Sequence, residues 1–255
     1  MPEGAVAAYF VNAADGSDES GNGHPLTLQN CTVESEGSIT GKSYVQITSN
    51  LTGTELWNNA PRAEAPFANV GGDILGLSLS CWIKDLPAPT SSSTTTFSGL
   101  AVVGLEVRDF NTWNDVCVWQ PVRYNHAKAF EIHYSNREDG GAVEFISSAN
   151  TAAVDTYIPS TAQWTHVVSV ITPSSAVLYV NGVKYPMDVT NSVHIFPTNF
   201  NPIKAWPLNL GLAKTVGYQT ITAACAGQKM SNIRLYARAL TDEEVSALYN
   251  NGAGV

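Results

Sequence analysis

The sequence is short of basic residues, of long apolar runs and of closely spaced cysteines, and each shortage closes off a class of function. Lys and Arg number 13 against 22 Asp and Glu, for a net charge of −9, and no cluster of five basic residues occurs anywhere. Nucleic acid and anionic membrane both recruit cationic surface, so neither is an expected partner. No apolar run approaches the roughly 18 residues of a membrane-spanning helix, so membrane insertion is not expected. "MPEGAVAAYFVNAADG" opens on an acid where an export leader would carry bases. Cys31, Cys81, Cys117 and Cys225 are too far apart for a zinc knuckle or a redox pair. Cys81 in "LSLSCWI" and Cys117 in "DVCVW" lie inside apolar runs, as buried thiols do, and any disulfide pairing is left open.

What the sequence has is a succession of short segments rich in Val, Ile, Leu and aromatics, separated by Gly, Pro, Ser, Thr and Asn, the pattern of an antiparallel all-β fold. "LSLSCWIK" alternates Leu77, Leu79, Cys81 and Ile83 on one face with Ser78, Ser80, Trp82 and Lys84 on the other. "GLAVVGLEV", "AFEIHYS" and "GAVEFIS" read as further strands. Residues 164–187 read as a three-stranded meander whose second turn is the dipeptide "NG". Near the C-terminus Thr241 precedes Glu244 by three residues in a capping box. The helix it opens carries Val245, Leu248 and Tyr249 on one stripe and has Gly252 as its stop. The expectation is one domain over residues 1–255, a two-sheet sandwich with a short C-terminal helix. Residues 57–73, 87–99 and 109–128 read as long loops.

Four segments, in order, resemble one family. "AAYFVNAADGSDESGNGHPLTL" is similar to the opening of a laminin G-like, concanavalin A-like domain, whose aromatic strand runs into a "DSSGNGN" loop. "LSLSCWIK" resembles its first long core strand, "WTHVVSVITPSSAVLYVNGVKY" its Trp-x-His strand and "LYVNG" hairpin, and "NIRLYARALTDEEVSALYNNG" its closing strand and helix. The resemblance covers residues 7–252 and implies an antiparallel jelly-roll β-sandwich. That fold hosts lectins, glycan hydrolases, adhesion modules and structural domains, so it does not by itself fix a function.

A calcium ion takes about six to eight oxygens, and the loop offers Asp15, Asp18, Glu19 and Asn22. The resemblance implies that Asp18 would share such an ion with an acid just before the closing strand. This chain has Ser231 and Asn232 there, so the candidate set is Asp15, Asp18, Asn22 and Asn232, weakened by one charge. The alternative is a loop pinned by side-chain hydrogen bonds alone. Glycoside hydrolysis needs two carboxylates across one groove; "VESEG" offers only Glu34 and Glu36, and no "GxSxG", "HExxH" or phosphate loop occurs. No catalytic residue is assigned. Glycan recognition needs aromatic platforms with amide and carboxylate partners, and residues 109–128 supply Trp113, Asn114, Asp115, Trp119, Tyr124 and His126, with Trp57 and Trp206 in other loop-like stretches. Two functions follow: a non-enzymatic module binding carbohydrate or a glycosylated surface, or an assembly protein of a virion or appendage, contacting other subunits or its own copies. Either would act outside the cell or on a virion surface.

Overall fold

A computed structural model of the chain describes residues 3–35, 42–49, 51–52, 60–85, 97–107, 117–125, 130–136, 143–147, 163–186, 197–211, 213–216, 222–223 and 226–253. Among them the chain forms β1 (Ala7–Tyr9), β2 (Cys31–Glu34), β3 (Tyr44–Ile47), β4 (Leu51–Thr52), β5 (Arg62–Ala63) and β6 (Leu77–Lys84). Next come β7 (Phe97–Val107), β8 (Cys117–Asn125), β9 (Phe130–Asn136), β10 (Val143–Ser147), β11 (Thr165–Thr172), β12 (Ser175–Val180) and β13 (Val183–Pro186). After a 3-10 turn at Asn201–Ala205 follow β14 (Leu208–Leu210), β15 (Ala213–Val216), β16 (Thr222–Ala223), β17 (Lys229–Tyr236) and the helix α1 (Asp242–Ala253).

The strands build the two antiparallel sheets the alternation predicts. One runs β13-β12-β11-β6-β17-β3-β2, with β1 also on β17; the other runs β10-β9-β8-β7-β14-β5, with β15 also on β7. A small ribbon of β4 and β16 stands apart from both. Leu77, Leu79, Cys81 and Ile83 of β6 turn inward and join Leu208, Leu210, Trp119 and Tyr134 of the second sheet in one core. The opposite face of β6 is not left to water. Helix α1 lays Val245 and Leu248 on Val168, Val170, Tyr179 and Tyr236, which is why β6 and β11 read as nearly continuous burial rather than alternation.

The meander is as expected: β11, β12 and β13 pair in sequence, and Asn181 and Gly182 both take positive φ, 50° and 78°, as a two-residue type I′ turn requires. The Tyr249 ring would lie 3.0 Å from a Cβ at Gly182, so this glycine is required for space as well as for backbone conformation. The capping box is also present, with Glu244 N–H donating to Thr241 Oγ1 (3.3 Å) and Thr241 N–H to Glu244 Oε2 (2.9 Å). The helix runs through Gly252 to Ala253, so Gly252 is not the stop.

Two stretches expected as loops carry structure. Residues 57–73 include β5 and the fully buried Phe67. Residues 109–128 contain β8, which lies between β7 and β9 in the middle of its sheet. Pro121 gives that stretch the look of a loop, yet it sits where the β8–β9 register shifts, between Gln120 and Arg123, and a bulge is where a strand tolerates proline.

Candidate recognition pocket

The opening loop is fastened by two consecutive carboxylates. After β1 the backbone takes a positive φ of 53° at Phe10, and the next three amides converge on Glu19: Val11 N–H (2.8 Å) and Ala13 N–H (3.1 Å) reach Oε1, and Asn12 N–H (2.9 Å) reaches Oε2. The Asn12 side-chain amide adds a bond to Oε2 at 3.2 Å. Asp18 Oδ1 accepts from Ala8 N–H and Ser20 N–H, both at 3.0 Å, and its Oδ2 from His24 N–H at 3.1 Å. Burial pushes the Asp18 carboxyl up, but the hydrogen bonds from Ser20, Ala8 and His24 outweigh it and hold the group below the usual carboxylate range. Asn22 donates its amide to Val6 O (2.9 Å) and Ser20 Oγ (3.1 Å), which ties the "GNG" turn to the chain entering β1.

Across β1 lies the closing strand. Ala8 is the register partner of Arg234, which in turn faces Ser80 of β6. A bulge between Ser231 and Arg234 sets Asn232 at φ 50°. Asn232 N–H donates to Phe10 O (3.0 Å), and Ser231 Oγ donates to Ser43 O (2.7 Å). Ser231 and Asn232, at the place where the resemblance implies an acid, therefore knit β17 to its neighbours.

A pocket of about 460 Å³ opens between this loop and the outward face of β1 and β17. Its polar wall is Asn12, Glu19, Ser20, Asn22 and Arg234; Ala5, Ala8 and Val11 are among its apolar residues. Arg234 is only 5% exposed. Burial draws its guanidinium below the ordinary range, against the opposing pull of Tyr236 and Glu19. Lys42 is lowered by burial and by Arg234 and raised by Glu19, so it belongs to the same charge group. The pocket holds one carboxylate, and its oxygens already accept amides, so it lacks the carboxylate pair that glycoside hydrolysis uses.

The residues named for calcium are tied into the loop by hydrogen bonds. Three backbone N–H groups occupy most of the lone pairs of Asp18, Asp15 accepts from Ser17 N–H at 2.9 Å, and Asn22 faces its neighbours with the donor end of its amide. Asn232 Oδ1 is buried without a hydrogen-bond partner among the described residues. No group of three or more His, Cys, Asp or Glu side chains converges among the described residues.

The residues named as a glycan platform fare differently. Trp113, Asn114, Asp115 and His126 lie outside the described residues, as does Trp57, and Tyr124 is placed by its backbone on β8. Trp119 is a correction: it is fully buried, its ring edge-on to Phe67 at 6.1 Å, and offers no face to a sugar. Trp206 is corrected likewise, buried and stacked on Tyr134 at 5.9 Å. Arg234 was missed. Its one local signal is a cation at an alternating position of an otherwise buried strand, "MSNIRLY".

The sequence profile described as the concanavalin A-like lectin/glucanases superfamily matches residues 40–246. The chain belongs to this superfamily. The matched span includes the Trp-x-His strand, the "LYVNG" hairpin and the closing strand, and leaves out the opening loop. No match was found among curated protein sequences. Solved structures of the same fold include the binding domain of Paraclostridial Mosquitocidal Protein 1 (TM-score 0.62, 16% identity, 97% of this chain and 52% of that one). Others are the binding domains of botulinum neurotoxin serotype G (0.58, 14%, 96% and 50%) and serotype D (0.58, 11%, 97% and 51%). The superfamily member described here thus spans about half the length of these structures, and at such identities the likeness establishes the fold.

Proposed function

We propose that this superfamily member is a non-catalytic recognition module that binds carbohydrate or a glycosylated surface. The observation that carries the reading is the pocket beside the opening loop. It is a preformed concavity within the size range of small-ligand sites, walled by amides, a hydroxyl and a buried guanidinium, and built on β1, the loop that follows it and the central strand β17. That the similar solved folds are binding domains is consistent with this use of the scaffold. Among the described residues no helix is long and apolar enough to cross a membrane, and we place the module's action outside the cell or on a virion surface. Residues Trp113, Asn114, Asp115, Tyr124 and His126 remain a second contact region in this reading.

A glycan array probed with the purified chain, with and without a chelator, tests the proposal. Binding to a defined set of glycans, unchanged by the chelator, is the expected result. Uniform silence, with oligomers or attachment to particles seen instead, would overturn it in favour of the assembly function.

A further inference from the structure

Most polar atoms around the pocket are already engaged inside the fold, and the few that remain define the chemistry of what it can take. Glu19 accepts from the N–H groups of Val11, Asn12 and Ala13 and from Asn12 Nδ2. Ser20 Oγ donates to Val6 O (3.2 Å) and accepts from Asn22 N–H (3.3 Å) and Asn22 Nδ2 (3.1 Å), which fills its one donor and two acceptor positions. Arg234 likewise has its own partner within the fold. Asn12 and Asn22 use Nδ2 as the donor to Glu19 Oε2 and to Val6 O, so their two Oδ1 atoms are the acceptors left at the wall. Ala5, Ala8 and Val11 form an apolar side. The carboxylates of Asp18 and Glu19 match the cations of Arg234 and Lys42 in number. An ion of either sign entering here would give up its hydration without a free counter-charge to meet.

Resting on the recognition function above, we infer that this pocket takes an uncharged sugar ring, its hydroxyls donating to Asn12 Oδ1 and Asn22 Oδ1 and its C–H face on Ala5, Ala8 and Val11. A wall whose remaining polar atoms only accept rejects an analogue that has no hydrogen to donate. Among the described residues no aromatic ring lines the pocket, so discrimination falls to those hydrogen bonds rather than to stacking.

The test is a nuclear magnetic resonance titration of the full chain with glucose, galactose and mannose, each also as its uronate, its 6-amino-6-deoxy form and its per-O-methyl ether, repeated on Ala8→Leu. Ala8 lines the pocket, so leucine there fills it without changing charge, and the melting temperature shows whether the variant folds. The expected result is that one neutral sugar binds at least tenfold tighter than its uronate, amine and methyl ether, shifts the side-chain amide signals of Asn12 and Asn22, and no longer binds Ala8→Leu. A uronate or amine within tenfold of the neutral sugar overturns the inference while leaving the recognition function standing. A methyl ether that binds as well as its parent overturns the donation to the two amide oxygens. Unmoved Asn12 and Asn22 signals, or wild-type affinity in folded Ala8→Leu, place the sugar elsewhere and overturn the inference; the amide signals decide this even if Ala8→Leu does not fold. Silence toward all these sugars with binding on the array overturns the inference alone, and silence on both overturns both.

Discussion

At the scale of single residues, the side chains that do most are those whose polar atoms find the backbone. Asp18 joins the amides of Ala8, Ser20 and His24, so Asp18→Asn replaces one acceptor oxygen with a donor facing N–H groups. That change should cost on the order of 2 kcal/mol and lower the melting temperature, whereas chelator should leave the wild-type temperature unchanged. A drop of several degrees on chelation, restored by calcium, would show that the loop holds an ion after all. His166 titrates by a different route. Its ring is 1% exposed, Nε2 lies 2.9 Å from Ser80 Oγ, and burial, helped by Arg234, depresses its value from 6.5 to about 3. The unfolded chain therefore binds this proton at a higher pH than the folded one. The contribution of a neutral His166 is complete above about pH 6.5 and falls as the pH drops toward 3, at up to about 1.4 kcal/mol per unit. The lowered carboxyls Asp15, Asp18, Asp242 and Glu244 lose their contribution only as the pH falls through the carboxylate range, near 4 and below. Urea midpoints between pH 4.5 and 6.5 should slope upward in the wild type and be flatter in His166→Gln. Equal slopes would assign the titration to other groups.

Among the elements, α1 shows how a local signal and a long-range contact combine. Thr241 and Glu244 were legible as a capping box because capping depends on residues three apart, and the structure adds that Arg238 clamps Glu244 through both guanidinium nitrogens, at 2.8 and 2.7 Å. Thr241→Ala should cost about 1 kcal/mol. Leu248→Ala, which empties a buried contact with the outer face of the sheet, should cost more, about 2–4 kcal/mol. Because Tyr249 stacks on Trp82 at 5.9 Å, loosening the helix in Leu248→Ala should also shift tryptophan emission to the red. A stable variant with unchanged emission would show that the helix is not the cover of that face. The buried outer face itself was not legible. Ser78, Ser80, Trp82 and Lys84 read only as the second face of an alternating strand, and the fold brings α1 back against Trp82 from more than 160 residues along the chain. For β8 the difficulty was reversed: a proline and a crowd of polar residues hid a central strand whose bulge absorbs the proline.

At the scale of the molecule, the same distinction separates what the sequence could tell from what it could not. Strand alternation, the Asn-Gly turn and the capping box are short-range and survive in one dimension. The pocket is assembled from Ala8 and Arg234, residues paired across a sheet yet over 220 positions apart, and no local pattern announces that pairing. Long-range closure also bears on how the molecule unfolds. The core that contains Leu79 of β6 contains Leu208 of β14 as well, with Phe67, Trp119 and Trp206 in the same cluster. Neither sheet can shed its inner face without exposing the other's, so the two should melt together. Leu79→Ala and Leu208→Ala, each removing a fully buried side chain, should each cost about 2–5 kcal/mol and lower one shared transition, with near- and far-ultraviolet circular dichroism melting curves superimposed. Two transitions, each moved by only one of the substitutions, would show instead that the sheets are held by separate cores.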